Sequence, residues 1–173
     1  MLNTDPFLND LIRSFYIQRP RSPQSFPAWD LNKVLTYLRS DIFEPLVLKD
    51  LRTVTMEVLF LVLLATAKRV SELHALSRVV STQGNDLVLS YVNSFIAKSE
   101  TVSNPIPRYF QLKSLWEIAG NMEEEMILCP VRALRIYSEK TSSLPDRPNV
   151  LFVSPKRPLR SISKNALSFF LRK

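Results

Sequence analysis

Two glycines, Gly84 and Gly120, are all that 173 residues contain, and this scarcity limits the backbone more than any other feature. A phosphate-cradling P-loop, a dinucleotide-binding turn and a nucleophile elbow each need closely spaced glycines, so all three are excluded. Hydrophobic residues make up 46% and charged residues 23%, enough for a core of ordinary size. The length fits one domain, or one domain with a short flanking piece. The single histidine, His74, and the single cysteine, Cys129, cannot by themselves build a zinc site or an H-E-x-x-H protease. No metal and no cofactor is therefore expected. A Ser-His-Asp triad would have to use His74, whose neighbours offer it nothing. A lone cysteine excludes an internal disulfide and fits a reducing compartment.

The longest apolar run, Val58 to Ala65, is eight residues, against the roughly 20 needed to span a bilayer. The first twenty residues carry Asp5 and Asp10 with no unbroken apolar stretch, unlike a secretory signal. The expectation is a soluble intracellular protein without a membrane partner.

Periodicity divides the chain. Leu8, Leu11, Ile12 and Phe15 repeat at helical spacing over residues 5–18, and residues 19–28 hold three prolines in an extended linker. Asp30 is placed to cap a second helix bearing Leu31, Val34, Leu35 and Leu38 on one face. After a loop around Phe43–Val47, the pattern predicts one long helix from about Leu51 to Leu76. Asp86–Val92 and Ile106–Leu112 alternate like strands of a small antiparallel sheet, joined by a polar turn that carries Lys98. A helix over Val131–Lys140, a short strand over Val150–Val153 and a last helix from near Ser163 complete the reading. That helix is still apolar at Phe169, Phe170 and Leu171 where the chain stops, so a truncation is expected, with those side chains exposed or partly covered. The fold class is α+β, mainly α, with a small antiparallel sheet.

Net charge is +7, and six of the positive charges (Lys156, Arg157, Arg160, Lys164, Arg172 and Lys173) follow Ser154 with no acid among them. Clustered Lys and Arg release counterions from a polyanion, which points to nucleic acid or an anionic membrane. A plain solvated surface is the other reading.

The most informative segment is TAKRVSELHAL, residues 66–76. A buried apolar helix runs straight into adjacent charges there. Arg69 and Glu72 are i, i+3 neighbours, so one carboxylate can hold the guanidinium fork for bidentate contact with a phosphate. An ordinary helix-end pair, with Lys68 and Glu72 matched at i, i+4, accounts for the same spacing.

The segment resembles the first catalytic-arginine block of the tyrosine recombinases (phage integrase-like proteins), approximately T-G-x-R-x-x-E-L-x-x-L, with Ala67 where many members have glycine. PAWDLNKVL (27–35), FEPL (43–46), AKRVSELHALS (67–77), CPVRAL (129–134) and LFVS (151–154) look closest to recombinases of DIRS-type and Crypton-type eukaryotic mobile elements. The resemblance implies a helical recombinase catalytic core over 29–173, preceded by a linker (19–28) and the remnant of a core-binding domain (1–18). It also implies double-stranded DNA as partner, with homo-oligomers on the DNA, and a nuclear setting. By the same resemblance Arg69 contacts the scissile phosphate, Glu72 supports it, and Lys98 acts as the general acid on the leaving 5′-hydroxyl. Lys98 as a plain solvated turn lysine remains the alternative. The DNA-binding set is Arg69, Lys98, Lys156, Arg157, Arg160 and Lys164.

The family's H/K-x-x-R motif and nucleophilic tyrosine belong after LFVS, and neither is found there. Tyr16, Tyr37, Tyr91, Tyr109 and Tyr137 all come earlier and read as core or surface aromatics. His74 reads as a packing or surface residue, and Cys129 as structural. The chain is therefore expected to be catalytically incomplete. A non-catalytic DNA-binding module and a helical protein-interaction domain are the two alternatives.

Overall fold

The computed structural model describes residues 30–98, 100–101, 103–116, 126–156 and 158–171. The helix expected over 5–18, the linker over 19–28, and Arg157, Arg172 and Lys173 lie outside the described residues. By its contacts the chain divides into two units, Met1–Leu31 and Asn32–Lys173, and nearly everything described belongs to the second.

That unit is α+β. Helix α1 spans Leu31–Leu38 and starts directly after Asp30, with Leu38 buried. A 3-10 turn at Leu46–Leu48 leads to α2, Leu51–Thr66, whose N-cap Asp50 accepts a hydrogen bond from the Thr53 N–H at 2.8 Å. Helix α2 is apolar on most of its surface, as a helix enclosed by other elements must be. Val54, Val58, Leu59, Leu61 and Val62 are buried, and the helix packs most broadly on α4, Pro130–Ser142. Pro130 opens α4 at a position where its missing N–H costs nothing, behind Cys129 as N-cap. Val131, Ala133, Leu134 and Tyr137 give α4 its buried face. No helix among the described residues is long and apolar enough to cross a membrane.

The long helix expected over Leu51–Leu76 is not continuous. It ends at Thr66, and Ala67 turns into the left-handed region at φ 50°. A second, five-residue helix, α3, follows at Val70–His74, and the chain then enters strand β1, Leu76–Gln83. β1 pairs antiparallel with β2 (Asp86–Tyr91), and β2 with β3 (Tyr109–Leu112), in the order β1-β2-β3. Gly84 opens the two-residue β1–β2 connection at φ 61°, the position at which a type II′ hairpin turn calls for glycine. β2 has the predicted alternation, with Leu87, Leu89 and Tyr91 buried. β3 is shorter than the Ile106–Leu112 read from sequence, since Pro105 and Pro107 lack the N–H groups a ladder needs.

The strand expected over Val150–Val153 does not form: Val150 and Val153 each make an isolated bridge, with a bend at Leu151 between them. Residues 150 and 151 lie against the outer side of β1, where the Leu151 N–H donates to the Leu76 carbonyl at 2.7 Å and Val150 bridges Ser77. Val153 then bridges Ser161. Helix α5, Lys164–Phe170, begins behind Ser163, whose Oγ accepts the Ala166 N–H at 3.2 Å. Leu167 is buried, Phe170 and Leu171 are partly buried against the core, and Phe169 is 50% exposed.

Candidate functional site

The break at Ala67 determines what the charged segment does. Beyond it the backbone is extended at Arg69 (φ −71°, ψ 152°), which serves as N-cap of α3. Glu72, three residues on, accepts the Arg69 backbone N–H at 2.9 Å. Its carboxylate therefore holds the main chain at Arg69 and leaves the guanidinium alone, which corrects the expected side-chain pairing. Among the described residues the Arg69 guanidinium makes no hydrogen bond or ion pair, and it is exposed.

The ammonium that Glu72 does hold belongs to Lys68, 3.4 Å from Oε1. The Tyr91 hydroxyl, on β2, donates to the same Oε1 at 3.2 Å. Lys68 Nζ also lies over two aromatic faces, 4.8 Å from the centroid of Phe110 and 5.8 Å from that of Tyr91. Phe95 backs Tyr91 with a ring separation of 4.9 Å. Burial works against the Lys68 charge, but the Tyr91 hydroxyl and Glu72 outweigh it and hold its pKa above the ordinary value. Burial likewise opposes the Glu72 charge. The Arg69 N–H, Lys68 and Tyr91 overcome it and hold Glu72 below the usual carboxylate range. Both groups are thus fixed in their charged forms. The sequence offers the Lys68–Glu72 spacing, but nothing in it brings Tyr91 and Phe110 to the same place.

Lys98 is exposed in the β2–β3 connection, where the sequence predicts it, and forms no hydrogen bond or ion pair among the described residues. Its loop is braced from the side. Glu100 Oε1 pairs with Arg108 Nη2 at 2.7 Å, Glu100 Oε2 accepts the Ala97 N–H at 3.1 Å, and Arg108 Nη1 donates to the Phe95 carbonyl at 2.7 Å. The sequence reading missed this clasp, and two charges eight residues apart across a turn give little signal for it.

Lys156 and Arg160 are both exposed on the 154–160 loop, closed by the Ser154 N–H donating to the Arg160 carbonyl at 2.8 Å. Lys164 is exposed at the start of α5, which packs on α3. Burial and the Lys164 charge together lower the pKa of His74, the last residue of α3, and favour its neutral form. Arg69 therefore caps the start of α3, while the Lys164 charge, on α5, acts on His74 at its end. No contact joins Lys98, Lys156 or Arg160 to Arg69 among the described residues.

The tyrosines have packing roles or face solvent. Tyr137 is fully buried, and its oxygen accepts the Val153 N–H at 3.0 Å. Tyr91 is buried, while Tyr37 and Tyr109 are exposed; Tyr16 lies outside the described residues. Cys129 is buried beside Ser114 and the Leu115 N–H. No group of three or more His, Cys, Asp or Glu among the described residues is arranged to hold a metal ion. No protein-family model, curated protein or solved structure matches the chain.

Proposed function

We propose that the chain is a DNA-binding domain of the tyrosine recombinase type, in which Arg69 contacts a backbone phosphate of duplex DNA. The observation that carries the reading is the exposed Arg69 guanidinium, unpaired among the described residues, on a main chain that Glu72 anchors at 2.9 Å. A planar, always-charged fork in such a position matches a phosphate bidentately. Lys164 on α5, with Lys156, Arg157 and Arg160 before it in the sequence, adds positive charge with no acid after Ser154. In this reading Lys98 is the general acid of the family's phosphoryl transfer, and the protein works in the nucleus with copies of itself on the duplex. With no H-x-x-R and no tyrosine after LFVS, these 173 residues bind the phosphate without forming a phosphotyrosyl bond.

The test is fluorescence anisotropy of a labelled duplex across a salt series. Affinity should fall with a log–log slope of about −0.9 per phosphate contacted, and Arg69→Ala should remove about one such unit. Absence of binding at low salt, or affinity indifferent to salt, defeats the proposal.

A second reading, a protein-interaction domain, is favoured by a run of exposed apolar side chains. Tyr37, Ile42, Val47 and Leu48 are 52%, 53%, 59% and 79% exposed over 12 residues. It predicts self-association that a Val47→Ser/Leu48→Ser double variant abolishes, with no response to DNA.

A further inference from the structure

We infer that Lys68 is the positioning residue that aims Arg69, acting through the face formed by Tyr91 and Phe110 and not by touching DNA. The inference rests on the reading of Arg69 as a phosphate contact.

The connector between α2 and α3 is three residues long: Ala67, Lys68 and Arg69. Its backbone has few restraints of its own. The Ala67 N–H bonds the Leu63 carbonyl at 2.8 Å and the Arg69 N–H bonds Glu72, but the Lys68 N–H reaches only Thr66 Oγ1 at 3.4 Å. The Lys68 side chain supplies what the backbone lacks. Its ammonium meets the Phe110 ring, the Tyr91 ring and the Glu72 carboxylate, and so ties the connector to β2 and β3. Neighbouring side chains on extended backbone point to opposite sides. Lys68 is half-buried against the sheet, while Arg69, on extended backbone, is exposed to solvent. The arrangement also keeps Lys68 from competing for the phosphate, since its charge is already matched by Glu72 and the aromatic faces.

A double-mutant cycle on duplex binding reads this directly. The full chain and its Lys68→Met, Arg69→Ala and Lys68→Met/Arg69→Ala variants are titrated with the same labelled duplex across a salt series. Methionine keeps the apolar stem and removes the charge. Arg69→Ala should weaken binding about tenfold, the size of one charge-assisted contact, and reduce the salt slope by about 0.9. Lys68→Met should do nearly the same, and the double variant should be no worse than Arg69→Ala alone. Lys68→Arg, which restores charge over the rings, should recover most of the loss. Tyr91→Phe, which keeps the ring and drops the bond to Glu72, should give a smaller loss of the same kind and serves if Lys68→Met does not fold.

If Arg69→Ala weakens binding while Lys68→Met does not, the inference fails and the phosphate reading stands. If the double variant loses a second slope unit, Lys68 touches phosphate itself and the inference is again wrong. If Arg69→Ala changes nothing, the phosphate reading falls and takes the inference with it.

Discussion

Glu44 and Arg132 lie 88 residues apart and meet through two parallel hydrogen bonds of 2.8 and 2.9 Å. The pair joins the segment before the 3-10 turn to the first turn of α4. Glu44 also accepts the Leu46 N–H at 2.9 Å, and so holds the chain where Leu46 enters the core. Arg132→Ala leaves a half-buried carboxylate without its partner. The side chains are 29% and 13% exposed, so the cost should fall below that of a fully buried pair, at about 2–3 kcal/mol in urea denaturation. Arg132→Lys should recover only part of it, since an ammonium cannot reproduce the fork. An unchanged midpoint for Arg132→Ala would show that the pair has no part in stability.

Beside this pair, Glu57 on α2 is fully buried, and neither carboxylate oxygen has a hydrogen-bond partner among the described residues. Burial, reinforced by the nearby Glu44 charge and only partly offset by Arg132, raises its pKa from 4.5 to about 8. Between those values the folded chain keeps a proton that the unfolded chain has released. This contribution to stability is fully present below pH 4.5, declines as pH rises, and levels off near pH 8. The slope is about 1.4 kcal/mol per pH unit. Glu57→Leu should remove it and be the more stable protein at pH 8, with a smaller advantage at pH 5. Urea denaturation of both proteins across that range is the check, and parallel profiles would count against the assignment.

Ala67 occupies a left-handed conformation that costs an L-residue roughly 1–2 kcal/mol and glycine almost nothing. Glycine also gives the unfolded chain more freedom, which returns part of that gain. Ala67→Gly should therefore stabilise the protein by about 0.5–1 kcal/mol, and Ala67→Val should destabilise it. Thermal melts of the two variants will move in opposite directions if the break is as described.

The same residue shows where sequence reasoning loses contact with structure. Alanine is the strongest helix former, so nothing local announces that α2 stops beside it. Glycine at that position would have signalled the stop. β1 escaped for a different reason: after Leu76 and Ser77 its side chains are mostly exposed on both faces, and a strand that buries so little shows no alternation. β2, with Leu87, Leu89 and Tyr91 turned inward, was legible for the opposite reason. At the candidate site, Glu72 was legible as Arg69's support because i, i+3 spacing is local, yet what it supports is the backbone. Tyr91 joins it from 19 residues away, a distance at which one sequence gives no geometric signal.

Residues 150 and 151 cover only the beginning of β1's outer edge. From Arg78 to Gln83 that edge has no ladder partner among the described residues, which in a flat apolar strand would invite another chain to add itself. Here the uncovered stretch opens with the Arg78 cation, and the pairing with β2 slips between Leu76 and Val80. An incoming strand would meet a charge and a disturbed register at its first steps, so the sheet resists growing beyond three strands by stacking copy upon copy.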